Sequence, residues 1–208
     1  MKGIIVAAWL LGQICLPLIS QNLDIKILRS IDAGRPLSLQ PTFLFVSNTV
    51  YPVSIATPIA FIIAGRISGN QTMLEDGLAS SGSIIINESV TTIFKYAVNR
   101  QRPYNTYPDI IPQSYDTDPS FPSGHTSAAF CTATSLSLMC PKWYVIVPSY
   151  AWATSVGYSR LFLGMHYPSD VLAGAVIGAG SAFIGFKIRQ WIDKKYAKKH
   201  QDVTDNDY

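Results

Sequence analysis

The sequence predicts an all-α fold, a bundle of apolar helices set in a membrane with one composite polar site on its outer face. Three observations carry that expectation. Of 208 residues, 48% are apolar and only 14% charged, against roughly 25% charged in soluble globular chains. The apolar residues fall into successive segments separated by prolines and charges, and three short polar stretches stand out from them. The length suits one sizeable core, with no room for a second independent domain.

Residues 1–20 carry Lys2, run apolar from Gly3 to Leu18 and end at Ser20. This fits a cleaved secretory signal or a first membrane helix, and either one sends the downstream chain across a membrane. Residues 21–44 form an amphipathic segment: Leu23, Ile27, Leu28 and Ile31 recur at helical spacing with Asp24, Lys26 and Arg29 between them, until Gly34 and Pro36 end the helix. It can lie on the membrane surface or pack as an ordinary helix.

Residues 45–190 make up the helical domain. Val46–Gly65 is apolar and closed by Arg66; residues 72–98 read as helix but hold Glu75, Asp76, Glu88 and Lys95, a weak membrane span. The proline-rich, charged stretch 99–121 is a loop. Thr126–Cys140, Tyr144–Tyr158 and Val171–Phe186 complete the set, with a turn at Pro141-Lys142, and residues 191–208 form a basic polar tail. Most of these segments are shorter than the roughly 20 apolar residues a bilayer needs. A helical domain that buries its own core is therefore the alternative.

Counting crossings from Lys2 inside puts Arg66, Lys142 and the lysine-rich tail on the inner side, as the positive-inside tendency requires. The same count brings all three polar stretches to the outer face. The formal charge of +3 is concentrated at the end of the chain and is not interleaved with any nucleic-acid-reading module, so no nucleic-acid partner is expected. Cys15, Cys131 and Cys140 make no disulfide framework and no zinc-ligand spacing, and no Walker or dinucleotide loop is present.

The first polar stretch pairs Lys95 with Arg102, seven apart and on one face of a continuous helix, with Pro103 forcing an exit that frees the guanidinium to fork onto an oxyanion. The second, Pro122-Ser123-Gly124-His125, starts a helix: Ser123 is a plausible N-cap, and Gly124 lets an anion approach the free backbone N–H groups. In the third, Arg160 precedes His166, and Asp170 lies four residues beyond, within reach of the ring N–H to fix the tautomer. Each stretch alone also fits a structural role: a solvated charge pair, a capping turn, a structural histidine. Together they strand three cations beside apolar segments, where a charge is costly without a partner, and an oxyanion is that partner.

KYAVNRQRP, PSGH and SRLFLGMHYPSD resemble, position for position, the tripartite signature of the type 2 phosphatidic acid phosphatases and vanadium haloperoxidases. The resemblance covers about residues 45–187. It implies a bundle of five or six core helices and a phosphohistidine mechanism: His166 as nucleophile, Asp170 orienting it, His125 as acid and then base. Lys95, Arg102, Arg160, the Ser123 hydroxyl and the Gly124 amide would hold the phosphoryl oxygens. No carboxylate cluster is left over for magnesium, so neither metal nor cofactor is expected.

The leading expectation is a phosphatase acting on a lipid phosphate or pyrophosphate at the periplasmic face of a bacterial-type inner membrane. The alternatives are a secreted nonspecific acid phosphatase on soluble esters, a vanadate-dependent haloperoxidase, or a noncatalytic membrane protein that binds anions. Loop 99–121, with Asp116 and Asp118, is expected to rim the entrance, and no oligomeric state is specified.

Overall fold

The computed structural model describes residues 22–205, with side chains through Lys195; the signal or first-helix expectation for residues 1–20 lies outside them. Every regular element among the described residues is helical. α1 spans residues 22–34 and a 3₁₀ turn Leu37–Leu39 leads into α2 (Gln40–Asn48), α3 (Val50–Ser68) and α4 (Gln71–Val98). After the one-turn α5 (Pro103–Thr106) come α6 (Gly124–Met139), α7 (Trp143–Phe162) and α8 (Pro168–Asp205). The last helix runs well past the expected Phe186 and takes in most of the basic tail; Pro168 opens its first turn, where a missing N–H costs nothing.

The bundle is polar inside and apolar outside. On α4 the buried stripe reads Ser80, Ser83, Asn87, Thr91, Lys95, stepping three or four residues at a time. α6 buries Thr126, Ser127, Thr132, Thr134 and Ser135. These hydroxyls and amides bond across helices: Asn87 Nδ2 to Ser127 Oγ at 3.3 Å, Thr91 Oγ1 to Ser127 Oγ at 3.0 Å, Thr132 Oγ1 to Ser54 Oγ at 2.8 Å. On the exterior, Ile55, Ile59, Ile63 and Ile67 of α3 form an uncovered stripe, 48% to 82% exposed. Leu172, Val176, Phe183, Ile184 and Ile188 do the same on α8.

Water would penalise that arrangement, whereas lipid rewards it, because interhelical contacts in a bilayer rest on small residues and side-chain hydrogen bonds. Leu37–Ser68 and Pro168–Lys195 are each long and apolar enough to cross a membrane. The protein is a membrane protein, and the readings that required a water-facing exterior fall away.

α6 and α8 meet at backbone distance. A Cβ on Gly174 would sit 2.6 Å from the Ser123 carbonyl oxygen, and one on Gly178 would overlap the Ser127 carbonyl. Only glycine allows this approach. It brings the start of α6 against the start of α8, and the Ser123 N–H donates to the Asp170 carbonyl at 3.0 Å.

α1 packs back onto the same end of the bundle. Ile25 and Leu28 are buried with Ile110 and Tyr167. Arg29 pairs with Asp109 at 2.7 Å, and Arg35 donates to the Phe162 and Ile111 carbonyls.

Candidate active site

The three polar stretches converge on one cleft of about 220 Å³, lined among others by Lys95, Arg102, Gly124, His125 and His166. They do not reach it as a continuous helix. α4 ends at Val98 because Asn99 adopts the left-handed conformation (φ 48) that Asn tolerates better than most residues, its N–H bonding the Lys95 carbonyl at 2.9 Å. The expectation that Lys95 and Arg102 share one helical face is therefore corrected. Arg102 lies beyond the cap, in extended backbone before Pro103, and comes back to Lys95 through the loop.

That loop supplies the cations' partners. Asp118 bridges Lys95 (2.7 Å) and Arg102 (2.6 Å), while Asp116 bridges Arg102 (3.1 Å) and Arg160 (3.0 Å). Burial pushes the Asp118 carboxyl up, but the Lys95 hydrogen bond and the Lys95 and Arg102 charges outweigh it and hold it at about 2. Both aspartates thus sit in the clamp itself, not merely at its rim. Arg160 also donates to Ser47 Oγ at 2.8 Å, and its buried Nε has no partner.

Ser123 is the N-cap of α6, its hydroxyl accepting from the Thr126 N–H at 3.4 Å and from the Thr126 hydroxyl at 2.9 Å. Gly124 opens the helix on the cleft wall, and His125 follows with its ring edge-on to Tyr51 at 5.1 Å between centroids. The N–H groups of that first turn have no intrahelical acceptors, as at any helix start.

His166 lies in the short connection between α7 and α8 and is 1% exposed. Its Nδ1 is 2.8 Å from the Ser120 carbonyl oxygen. A carbonyl can only accept, so Nδ1 carries the proton and Nε2 is left unprotonated, an acceptor for the Arg102 guanidinium. Nε2 lies 3.4 Å from Arg102 Nη1, on the clamp side. Burial pushes the imidazolium down, the Asp170 carboxylate opposes this, and Arg160 and Arg102 add to the lowering, leaving the ring at about 4 and neutral near pH 7.

The direct His166–Asp170 hydrogen bond expected from the spacing is not formed. Asp170 Oδ2 is 3.6 Å from Nδ1, beyond hydrogen-bond range, because that oxygen accepts from the Ser120 hydroxyl at 2.5 Å and the Tyr167 N–H at 2.9 Å. Asp170 therefore reaches the histidine through Ser120, whose hydroxyl it holds and whose carbonyl holds the ring. Ser120, Asp116, Asp118 and Arg100 are site residues to which the motif spacing assigned no role. Arg100 lies within the first polar stretch, Asp116 and Asp118 were expected only at the rim, and Ser120 had no signal beyond its proximity to the second stretch.

A buried neutral histidine aimed into a three-cation clamp, at one end of a polar-cored membrane bundle, defines a membrane phosphatase site. The family model described as the PAP2 superfamily matches residues 76–194, and the chain belongs to that superfamily. It is 35% identical over 107 residues to an undecaprenyl-diphosphatase of Sulfolobus acidocaldarius, covering 51% of this chain and 52% of that one. To the undecaprenyl-diphosphatase BcrC of Bacillus subtilis it is 27% identical over 161 residues, 74% of this chain and 79% of the other. The fold matches the crystal structure of Aquifex aeolicus LpxE with a TM-score of 0.68 at 27% identity, over 79% of this chain and 95% of that one.

Proposed function

We propose that this protein hydrolyses a lipid phosphate, with a polyprenyl diphosphate as the leading substrate, at the periplasmic face of a bacterial-type inner membrane. The observation that carries the proposal is the unprotonated Nε2 of His166, facing Arg102, its tautomer set by the Ser120 carbonyl. The names of the two undecaprenyl-diphosphatase relatives support the choice of headgroup. The apolar exterior supports a substrate whose chain stays in lipid while its headgroup enters the cleft.

In this reading the phosphoryl group displaces Asp116 and Asp118 and takes over Lys95, Arg102 and Arg160, with the α6 start at Gly124 completing the cradle. Nε2 of His166 attacks phosphorus as the bond to the leaving oxygen breaks; His125, held at about 3 by burial and the nearby Arg160 and Arg102 charges, gains its proton as the phosphoryl group offsets those cations, and passes it to that oxygen. The phosphorylated ring is cationic; the Ser120 carbonyl accepts its remaining N–H, and the Asp170 carboxylate nearby offsets its charge. His125, now neutral, takes a proton from water, whose oxygen attacks phosphorus and releases inorganic phosphate and free His166. Ser123 caps the α6 start, and its hydroxyl, which accepts from Thr126, keeps its own proton to donate to a phosphoryl oxygen. The three cations spread the charge that accumulates on the equatorial oxygens, which is the main demand of phosphoryl transfer.

The test is phosphate release from undecaprenyl diphosphate, phosphatidylglycerol phosphate, phosphatidic acid and a lipid A phosphate in detergent, beside one soluble ester, with His166→Ala as control. Fastest turnover of the diphosphate, lost in the variant, is expected. Preference for the soluble ester overturns the substrate class, and an active variant overturns the mechanism.

A further inference from the structure

Behind Asp170 lies a buried ion network that the scheme above leaves without a task. Asp170 Oδ1 pairs with Arg100 Nη1 at 2.7 Å. The same guanidinium donates to Ser169 Oγ at 2.7 Å, and its Nη2 pairs with Asp24 Oδ2 at 2.8 Å. Asp24 comes from α1, is 4% exposed, and accepts the Ser169 backbone N–H at 3.0 Å as well as the Ser169 hydroxyl. Arg100 lies over the Tyr167 ring, 3.9 Å from its centroid.

A carboxylate with one oxygen taken by Ser120 and Tyr167 can rotate about its Cβ–Cγ bond unless the other oxygen is also held. Arg100 holds it. Arg100 is in turn fixed on three sides, by Asp24, by the Ser169 hydroxyl and by the Tyr167 face. A planar fork that holds two carboxylates at once over an aromatic ring is a geometry that lysine cannot supply. α1 lies outside the residues that the family model matches, so this anchor comes from beyond the superfamily core.

We propose that Arg100 and Asp24 are positioning residues: Asp24 fixes Arg100, Arg100 fixes the Asp170 carboxylate, and through Ser120 that carboxylate aims the nucleophilic ring. The inference rests on His166 as the nucleophile. It assigns α1 a positioning part, as the far end of a relay Asp24–Arg100–Asp170–Ser120–His166.

The experiment compares Asp24→Asn, Arg100→Gln, Arg100→Lys and Asp170→Asn, together with the Asp24→Asn/Asp170→Asn double variant, using farnesyl diphosphate in detergent. kcat, KM and the amplitude of the phosphoenzyme burst are measured, and turnover is normalised to burst amplitude so that only folded, competent sites count. Arg100→Gln is expected to lower kcat per site by about 10- to 100-fold, the usual cost of losing such an outer partner, with KM unchanged. Arg100→Lys restores little, Asp24→Asn gives a smaller loss of the same kind, and that loss disappears in the Asp170→Asn background.

Wild-type kcat per site in Asp24→Asn and Arg100→Gln overturns the inference. So does a loss confined to burst amplitude or to KM, or one that adds in full on top of Asp170→Asn. A His166→Ala control that retains turnover defeats the nucleophile assignment instead, so the two failures are distinguishable.

Discussion

The two sides of His166 are built on opposite principles. In front, three cations meet Asp116 and Asp118, whose side chains are 33% and 42% exposed and ride on a loop. Behind, Asp170 is fully buried and bonded at both carboxylate oxygens. The carboxylates are the accessible halves of these pairs, so an incoming anion can reach the cations and exchange with Asp116 and Asp118. Removing one partner of a buried pair costs about 3–5 kcal/mol. The front is thus suited to partners that change every turnover, and the back to a geometry that must not change.

That contrast is open to direct attack, and His166→Ala gives the largest effect. Phosphate release should fall at least about 10⁴-fold, as when a nucleophile is deleted from a concerted site, and radiolabelled phosphoenzyme should vanish. Next comes Arg102→Gln, which touches both sides through Asp118 and the His166 face. Turnover should drop by about 10²- to 10³-fold, measured in single-turnover assays, with the loss in the chemical step.

A smaller effect of opposite sign sharpens the comparison. Asp118→Asn removes the carboxylate that competes for Lys95 and Arg102, so orthovanadate should inhibit about two- to fivefold more tightly. Weaker inhibition would show that the front is as fixed as the back.

The mildest test is pH. The His166 ring is held at about 4, below its ordinary 6.5, so the neutral nucleophile persists on acidification and is lost only as pH falls through about 4. Phosphoenzyme formation should lose no rate on acidification from pH 7 to near pH 5, and can gain as the acid His125 takes up its proton; an acid limb near 6.5 would mean that the back is not closed.

The cations, both histidines and Asp170 were legible in the sequence because polar side chains are conspicuous in an apolar chain; Lys95, Arg102 and the two histidines line one cleft, and Arg160 meets it through Asp116. The all-α class followed from the same contrast. Other features carried no periodic signal. The end of α4 depends on one left-handed asparagine, which the spacing of Lys95 and Arg102 does not reveal. Ser120 acts through its carbonyl, which every residue possesses, and Asp24 meets Arg100 only after α1 folds back across 76 positions. The inward hydroxyl stripe of α4 and α6 reads as weak amphipathicity by water's rules and becomes coherent only when lipid is the outer solvent.

The glycine contact between α6 and α8 bears on how a bulky lipid can be admitted without spoiling the chemistry. His125 heads α6, and His166 stands two residues before α8. With Gly174 and Gly178 seated on the α6 backbone, the two helices form a single strut with both imidazoles mounted at one end. Acid and nucleophile are spaced by that strut. The glycine contact faces inward, away from the outward isoleucines of α3, so the distance between proton donor and phosphorus acceptor is set where an acyl or prenyl chain does not press.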